Sequence, residues 1–138
     1  MSLTSQSLFA EQPTKSRILV ADDQEVIRSH LQGIGPMINC EVFAAQDGLE
    51  AWEIFNAVKP DLVILDIYMP KMSGLTLMQK IKAAQPETKV ILITGFLTYS
   101  QLAAKAGSQA DAFFNKPLNI KTLVDAALKL LPRAELKE

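Results

Sequence analysis

Asp22 and Asp23 follow the apolar run Ile18-Leu19-Val20-Ala21, Asp66 follows Leu62-Val63-Ile64-Leu65, and Lys116 comes just after Ala112-Phe113-Phe114. If these runs are neighbouring parallel strands, their carboxyl ends lie side by side. Three carboxylates and one ammonium then converge on one small cleft. Crowded carboxylates repel, and each tends to keep a proton unless a cation joins them. All the side-chain ligands on offer are oxygens, with no His or Cys among them, which favours Mg²⁺ or Mn²⁺ over zinc. Mg²⁺ takes one or two carboxylates, keeps several waters and fills its remaining positions with phosphate oxygens. The chemistry such a site suits is phosphoryl transfer. An aspartate can attack phosphorus to give an acyl phosphate when charge on the transferred oxygens is neutralised, here by the metal on one side and Lys116 on the other. Thr94, ending a fourth apolar run, adds a hydroxyl.

Positioning those groups requires strands that alternate with helices. Arg17–Ala21, Glu41–Ala45, Asp61–Asp66, Lys89–Thr94 and 110–114 are short apolar runs, three of them almost continuous in Val, Ile and Leu, as suits strands buried on both faces. Between and after them apolar residues recur at helical spacing: Val26, Ile27, Leu31 and Ile34; Leu49, Trp52, Phe55 and Val58; Leu75, Met78 and Ile81; Tyr99, Leu102 and Ala106; and finally Ile120 through Leu131. Asp47 and Ser73 are placed to cap the helices after them, and Pro60, Pro86 and Gly107 to close helices before the next strand. The expectation is an α/β fold, a doubly wound five-stranded parallel sheet with helices on both faces and right-handed crossovers. A strand order of 2-1-3-4-5 puts strands one and three together at the switch point, where Asp22, Asp23 and Asp66 would meet.

The chain has 138 residues, 49% of them hydrophobic, enough for one core and too few residues for two. Residues 17–131 are read as the domain, 1–16 as a mobile leader without the pattern of a secretory signal, and 132–138 as a tail or the start of a linker. A formal net charge of -1 with scattered basic residues argues against direct nucleic-acid contact. One cysteine, Cys40, and no apolar stretch of membrane-spanning length point to a reducing, cytoplasmic setting with no membrane association. His30, Cys40, Trp52, Lys71 and Lys105 are read as packing or surface residues.

Taken together, Val20-Ala21-Asp22-Asp23, Leu65-Asp66-Ile67-Tyr68-Met69-Pro70 followed by Ser73-Gly74, Ile93-Thr94-Gly95 and Asn115-Lys116-Pro117 resemble the response-regulator receiver domain of two-component signalling, which has a flavodoxin-like fold. The resemblance spans nearly the whole chain. It implies that Asp66 is the phosphoryl acceptor, Asp23 a direct metal ligand, Asp22 a ligand through water and the Tyr68 backbone carbonyl a further ligand. It also implies that Lys116 pairs with the phosphoryl oxygens and joins Pro117 through a cis peptide. Thr94 and the aromatic at Phe113 would form the switch, read out on the face of the fourth helix, fifth strand and fifth helix. Phe113 lacks the hydroxyl of the tyrosine often found there, so any switch must rest on packing. Gly95 stands where the family commonly has Ala. Tyr68 and Phe96, two residues past Asp66 and Thr94, place rings where many receivers carry polar or small residues, and are expected to shield the acyl phosphate and lengthen its lifetime.

The function so implied is a signalling switch, not a turnover enzyme. It would take its phosphoryl group from a histidine kinase or histidine phosphotransfer protein, catalyse its own phosphorylation and dephosphorylation, and be able to form a homodimer through the switch face. Two alternatives compete. A flavin- or nucleotide-binding domain of the same architecture would need a Gly- or Ser/Thr-rich first loop, where this chain has Asp-Asp-Gln-Glu. A Mg²⁺-dependent phosphatase with an Asp nucleophile usually needs an acid two residues beyond it, and position 68 is Tyr.

Overall fold

The computed structural model describes residues 15–96, 101, 104 and 109–132. Its sheet has five strands, β1 (Ser16–Ala21), β2 (Cys40–Ala45), β3 (Leu62–Asp66), β4 (Lys89–Thr94) and β5 (Ala112–Asn115). All four pairings are parallel, and the order is β2-β1-β3-β4-β5. Helices α1 (Glu25–Ile34), α2 (Gly48–Val58) and α3 (Gly74–Ala84) follow β1, β2 and β3, and a C-terminal helix (Ile120–Leu130) follows β5. The expected helix around Tyr99, Leu102 and Ala106, with Lys105 and Gly107, falls on positions outside the described residues, as do residues 1–14 and 133–138.

Alternation of side chains across the sheet builds two cores from the same strands. Leu19, Val63, Leu65, Val90 and Leu92 face one side, against Phe55 of α2 and Leu77, Met78 and Ile81 of α3. Ile18, Val20, Leu62, Ile64, Ile91 and Ile93 face the other, against Leu31 and Ile34 of α1 and Leu123, Val124 and Ala127 of the C-terminal helix. Central β3 is buried at every position, as an uninterrupted Val/Ile/Leu run requires, whereas edge strand β2 is exposed or half-buried over its middle. Trp52 stacks on Phe55 at 5.6 Å between ring centroids and lies under the Lys80 ammonium, and Cys40 is buried.

Helix starts follow local chemistry. Asp47 accepts from the Glu50 N–H at 2.8 Å, and Ser73 accepts from the Thr76 N–H at 3.2 Å. The Glu50 N–H, and after it the Lys71 ammonium, hold the Asp47 carboxyl below the usual range against the opposing effect of burial. Lys59 and Gln85 end α2 and α3, each directly before a proline. β4 has the limits expected from the sequence, and the other strands differ from the expectation by one or two residues. β5 begins at Ala112 and not at residue 110, since the Asp111 carboxylate turns back onto the Val90 N–H at 2.8 Å.

Candidate functional site

Parallel pairing of β1 with β3 sets Ala21 beside Leu65, so the residues that follow each of them emerge together. Asp22, Asp23 and Asp66 each present a carboxylate oxygen within 4.8 Å of the others. β5 delivers the amine: Lys116 Nζ lies 2.8 Å from Asp22 Oδ2 and 3.2 Å from Asp66 Oδ2. Asp23, Asp66 and Lys116 line one cleft of about 420 Å³ at the carboxyl ends of the strands, together with Gln24, Tyr68, Gly95 and Phe96, and the buried Asp22 lies behind them.

Each carboxylate is differently held. Asp22 is fully buried; its N–H donates to Ala45 O at 3.1 Å, its carbonyl accepts from Arg28 Nη1 at 2.9 Å, and its Oδ1 accepts from the Gln24 N–H at 2.8 Å. Its Oδ2 meets only the Lys116 charge, without a well-aligned hydrogen bond. Asp23 is exposed. Asp66 is 5% exposed and accepts from the Tyr68 N–H at Oδ1 and from Lys116 at Oδ2. Burial, and next the charge of Asp22, push the Asp66 carboxyl above its usual range, and the Lys116 and Tyr68 bonds only partly offset them. Burial alone would weaken the Lys116 ammonium, but its close approach to the Asp22 carboxylate, then the charge and bond of Asp66, outweigh it and raise its pKa.

The loop after Asp66 is clamped at a point of close backbone approach. A Cβ at Gly74 would lie 2.2 Å from Asp66 O, and the Gly74 N–H donates to Ile67 O at 2.8 Å. Thr94 is buried at the end of β4, where its Oγ1 accepts from the Phe96 N–H and its carbonyl from the Lys116 N–H. Phe113 is half-buried against the core shared with α2 and α3. The Lys116–Pro117 peptide is cis. At Gly95 a Cβ would meet nothing closer than Lys116 Cβ at 3.8 Å, so the position has room for an alanine. Tyr68 and Phe96 stand edge to face at 5.3 Å between centroids on the rim of the cleft, 45% and 79% exposed. His30 is exposed on α1 and does not line the cleft.

Two contributors escaped the sequence reading. Gln24 accepts a hydrogen bond from Lys116 through its Oε1 at 2.8 Å, and Arg28 braces the backbone of Asp22. Both lie at the start of α1, and the only available signal was their closeness in sequence to the acidic pair.

A doubly wound parallel sheet with an acidic cleft at its switch point defines a class, and comparison with known proteins identifies the family. The family model of the response regulator receiver domain matches residues 18–128, and the chain belongs to that family of two-component signalling proteins. It is 32% identical over 116 residues to sporulation initiation phosphotransferase F of Bacillus subtilis, covering 84% of this chain and 94% of that one. Chemotaxis protein CheY of Listeria monocytogenes is 33% identical over 114 residues, covering 82% and 96%. The match to response regulator MprA of Mycobacterium ulcerans, 29% identical over 122 residues, takes in 88% of this chain but only 53% of the relative, so the chain spans about half the length of such curated relatives. A receiver domain protein from Methanospirillum hungatei superposes with a TM-score of 0.77 at 27% identity, over 83% of this chain and 92% of that one. Among the described residues no helix is long and apolar enough to cross a membrane.

Proposed function

We propose that this chain is a phospho-acceptor switch in which Asp66 takes a phosphoryl group from a phosphohistidine on a kinase or phosphotransfer protein. The observation that carries the reading is the meeting of three carboxylates within 4.8 Å around one ammonium. An Asp66 oxygen forms the new P–O bond as the P–N bond to the donor imidazole breaks, and the bonding pair stays on nitrogen. Lys116, held at the cleft by Asp22 and Asp66, supplies positive charge to the transferred oxygens. Thr94 Oγ1, buried at the end of β4 next to Gly95 and Phe96 of the cleft, would supply a hydroxyl to the new group.

The donor set suits Mg²⁺, or Mn²⁺: hard oxygens only, one carboxylate exposed, and an Asp66 whose pKa is raised by burial and then by the charge of Asp22. Asp23, Asp66 and the Tyr68 carbonyl would hold the ion, with Asp22 acting through water. When bound it neutralises charge on the transferring phosphoryl oxygens. The Tyr68 and Phe96 rings, in contact on the rim, limit the approach of water to the acyl phosphate and lengthen its life. Thr94 and Phe113 transmit the event to the face that includes β5 and the C-terminal helix, which also serves a homodimer.

Incubating the protein with acetyl phosphate and Mg²⁺ and weighing the product tests this reading. A single phosphoryl addition to the wild type, absent from Asp66→Asn, is the expected result. Addition to both, or steady release of phosphate from ester substrates with no adduct, overturns it. For the rings, Tyr68→Asn with Phe96→Glu is expected to shorten the adduct's half-life at least several-fold, and an unchanged half-life removes them from the mechanism.

A further inference from the structure

Lys116 Nζ has three oxygens within 3.2 Å: it donates hydrogen bonds to Gln24 Oε1 at 2.8 Å and Asp66 Oδ2 at 3.2 Å, and it pairs by charge with Asp22 Oδ2 at 2.8 Å. The two carboxylates are anionic. The Gln24 oxygen belongs to a neutral amide on an exposed residue whose side chain does not cap α1, although it stands at the N-cap position. The same residue's N–H fixes Asp22 Oδ1 at 2.8 Å, so Gln24 closes a ring with Asp22 and Lys116 that fastens the amine to the cleft wall. Gln24, Asp66 and Lys116 all line the cleft, so the bond between the Gln24 amide and the ammonium lies at the cleft wall.

We infer that Gln24 tunes the cleft's affinity for an anionic phosphoryl group through Lys116: its Oε1 holds a proton of the ammonium that a phosphoryl oxygen must compete for. The inference rests on the phospho-acceptor reading above. Of the three oxygens, the amide is the one that yields at least cost, because it carries no charge and finds water on leaving. Its hold on the amine is a standing competitor to the phosphoryl group. A carboxylate at this position would compete harder and would add a fourth negative charge to the cleft.

Substitution at Gln24 should therefore move phosphoryl affinity in opposite directions according to the acceptor left behind. The probes are beryllofluoride with Mg²⁺, its binding followed by fluorine NMR, and acetyl phosphate, its saturation followed by the rate of adduct formation. Gln24→Ala and the near-isosteric Gln24→Met are expected to bind beryllofluoride about three- to tenfold more tightly than wild type and to lower KM for acetyl phosphate in proportion, with the change falling on KM more than on kcat. Gln24→Glu is expected to weaken beryllofluoride binding by about tenfold or more while tightening Mg²⁺ itself in calorimetry. The backbone N–H to Asp22 survives in every variant, so altered folding does not account for opposite signs. Ala and Met variants equal to or weaker than wild type overturn the inference. If wild type itself binds no beryllofluoride, or Asp66→Asn binds it equally well, the phospho-acceptor reading fails instead.

Discussion

The two ends of the sheet carry similar acids and treat them oppositely. At the amino ends of the strands Asp61 and Asp111 each stand just before a strand and tie it to its neighbour. Asp61 Oδ2 accepts from the Arg17 N–H at 2.9 Å, and Asp111 Oδ2 accepts from the Val90 N–H at 2.8 Å and from Lys82 Nζ at 2.9 Å. Lys82 is shared further with Thr88 O. At the carboxyl ends three carboxylates crowd one ammonium, and Asp66 is held above its ordinary pKa by burial and by Asp22. Acids that hold the fold together are matched one by one with donors. Acids gathered in excess of their donors leave negative charge unbalanced, at a cost in stability that the rest of the fold must cover.

Five measurements would break or sharpen that contrast. The largest effect should come from Mg²⁺: at a hundredfold excess over its Kd it should stabilise the wild type by about 2.7 kcal/mol, seen as a rise in Tm. The rise should vanish in Asp23→Asn and Asp66→Asn and persist in Asp111→Asn. Equal response in all variants would mean that the cleft is not where the ion binds.

Next, Asp111→Ala should destabilise the protein by about 1–2 kcal/mol in urea unfolding, since it leaves the Val90 N–H and Lys82 without their anion. Asp66→Asn should go the other way, gaining stability in the presence of a chelator, because desolvation and repulsion from Asp22 outweigh the Lys116 bond. The sign carries into pH. With its folded pKa raised above that of the unfolded chain, Asp66 favours folding most at pH values below the unfolded carboxylate range of about 3.9, and this contribution is lost as pH rises through the folded pKa. Chelated wild type should therefore show a downward component of stability with rising pH that Asp66→Asn lacks; superimposable pH profiles would contradict the crowding argument.

The smallest effect belongs to Glu41, whose pairing with Arg17 at 3.7 Å is exposed on both sides. Glu41→Ala should change stability by less than about 0.5 kcal/mol. A larger loss would show that edge strand β2 depends on that pair more than its solvent exposure allows.

The alternation of apolar runs and helical spacing determined most of this protein. A run such as Leu62-Val63-Ile64-Leu65 is stable only when buried on both faces, and Asp47 and Ser73 can satisfy helix N–H groups through strictly local bonds, so both features are written in neighbouring residues. The acidic pair, Asp66 and Lys116 were legible for the same reason: each sits at a strand's end, and parallel pairing leaves those ends one place to go. Strand limits were less so, because β5 starts where Asp111 bonds to a strand remote from it in sequence.

Tertiary structure alone decided how the four groups share their bonds. That Lys116 reaches Gln24, 92 positions away, and that the Tyr68 and Phe96 rings touch edge to face, depends on rotamers and strand offsets that no local pattern encodes. Burial periodicity is a property of the chain, repeated every two or four residues. The balance of charge in a cleft exists only once distant segments have met, and a shift of about one ångström would redistribute it.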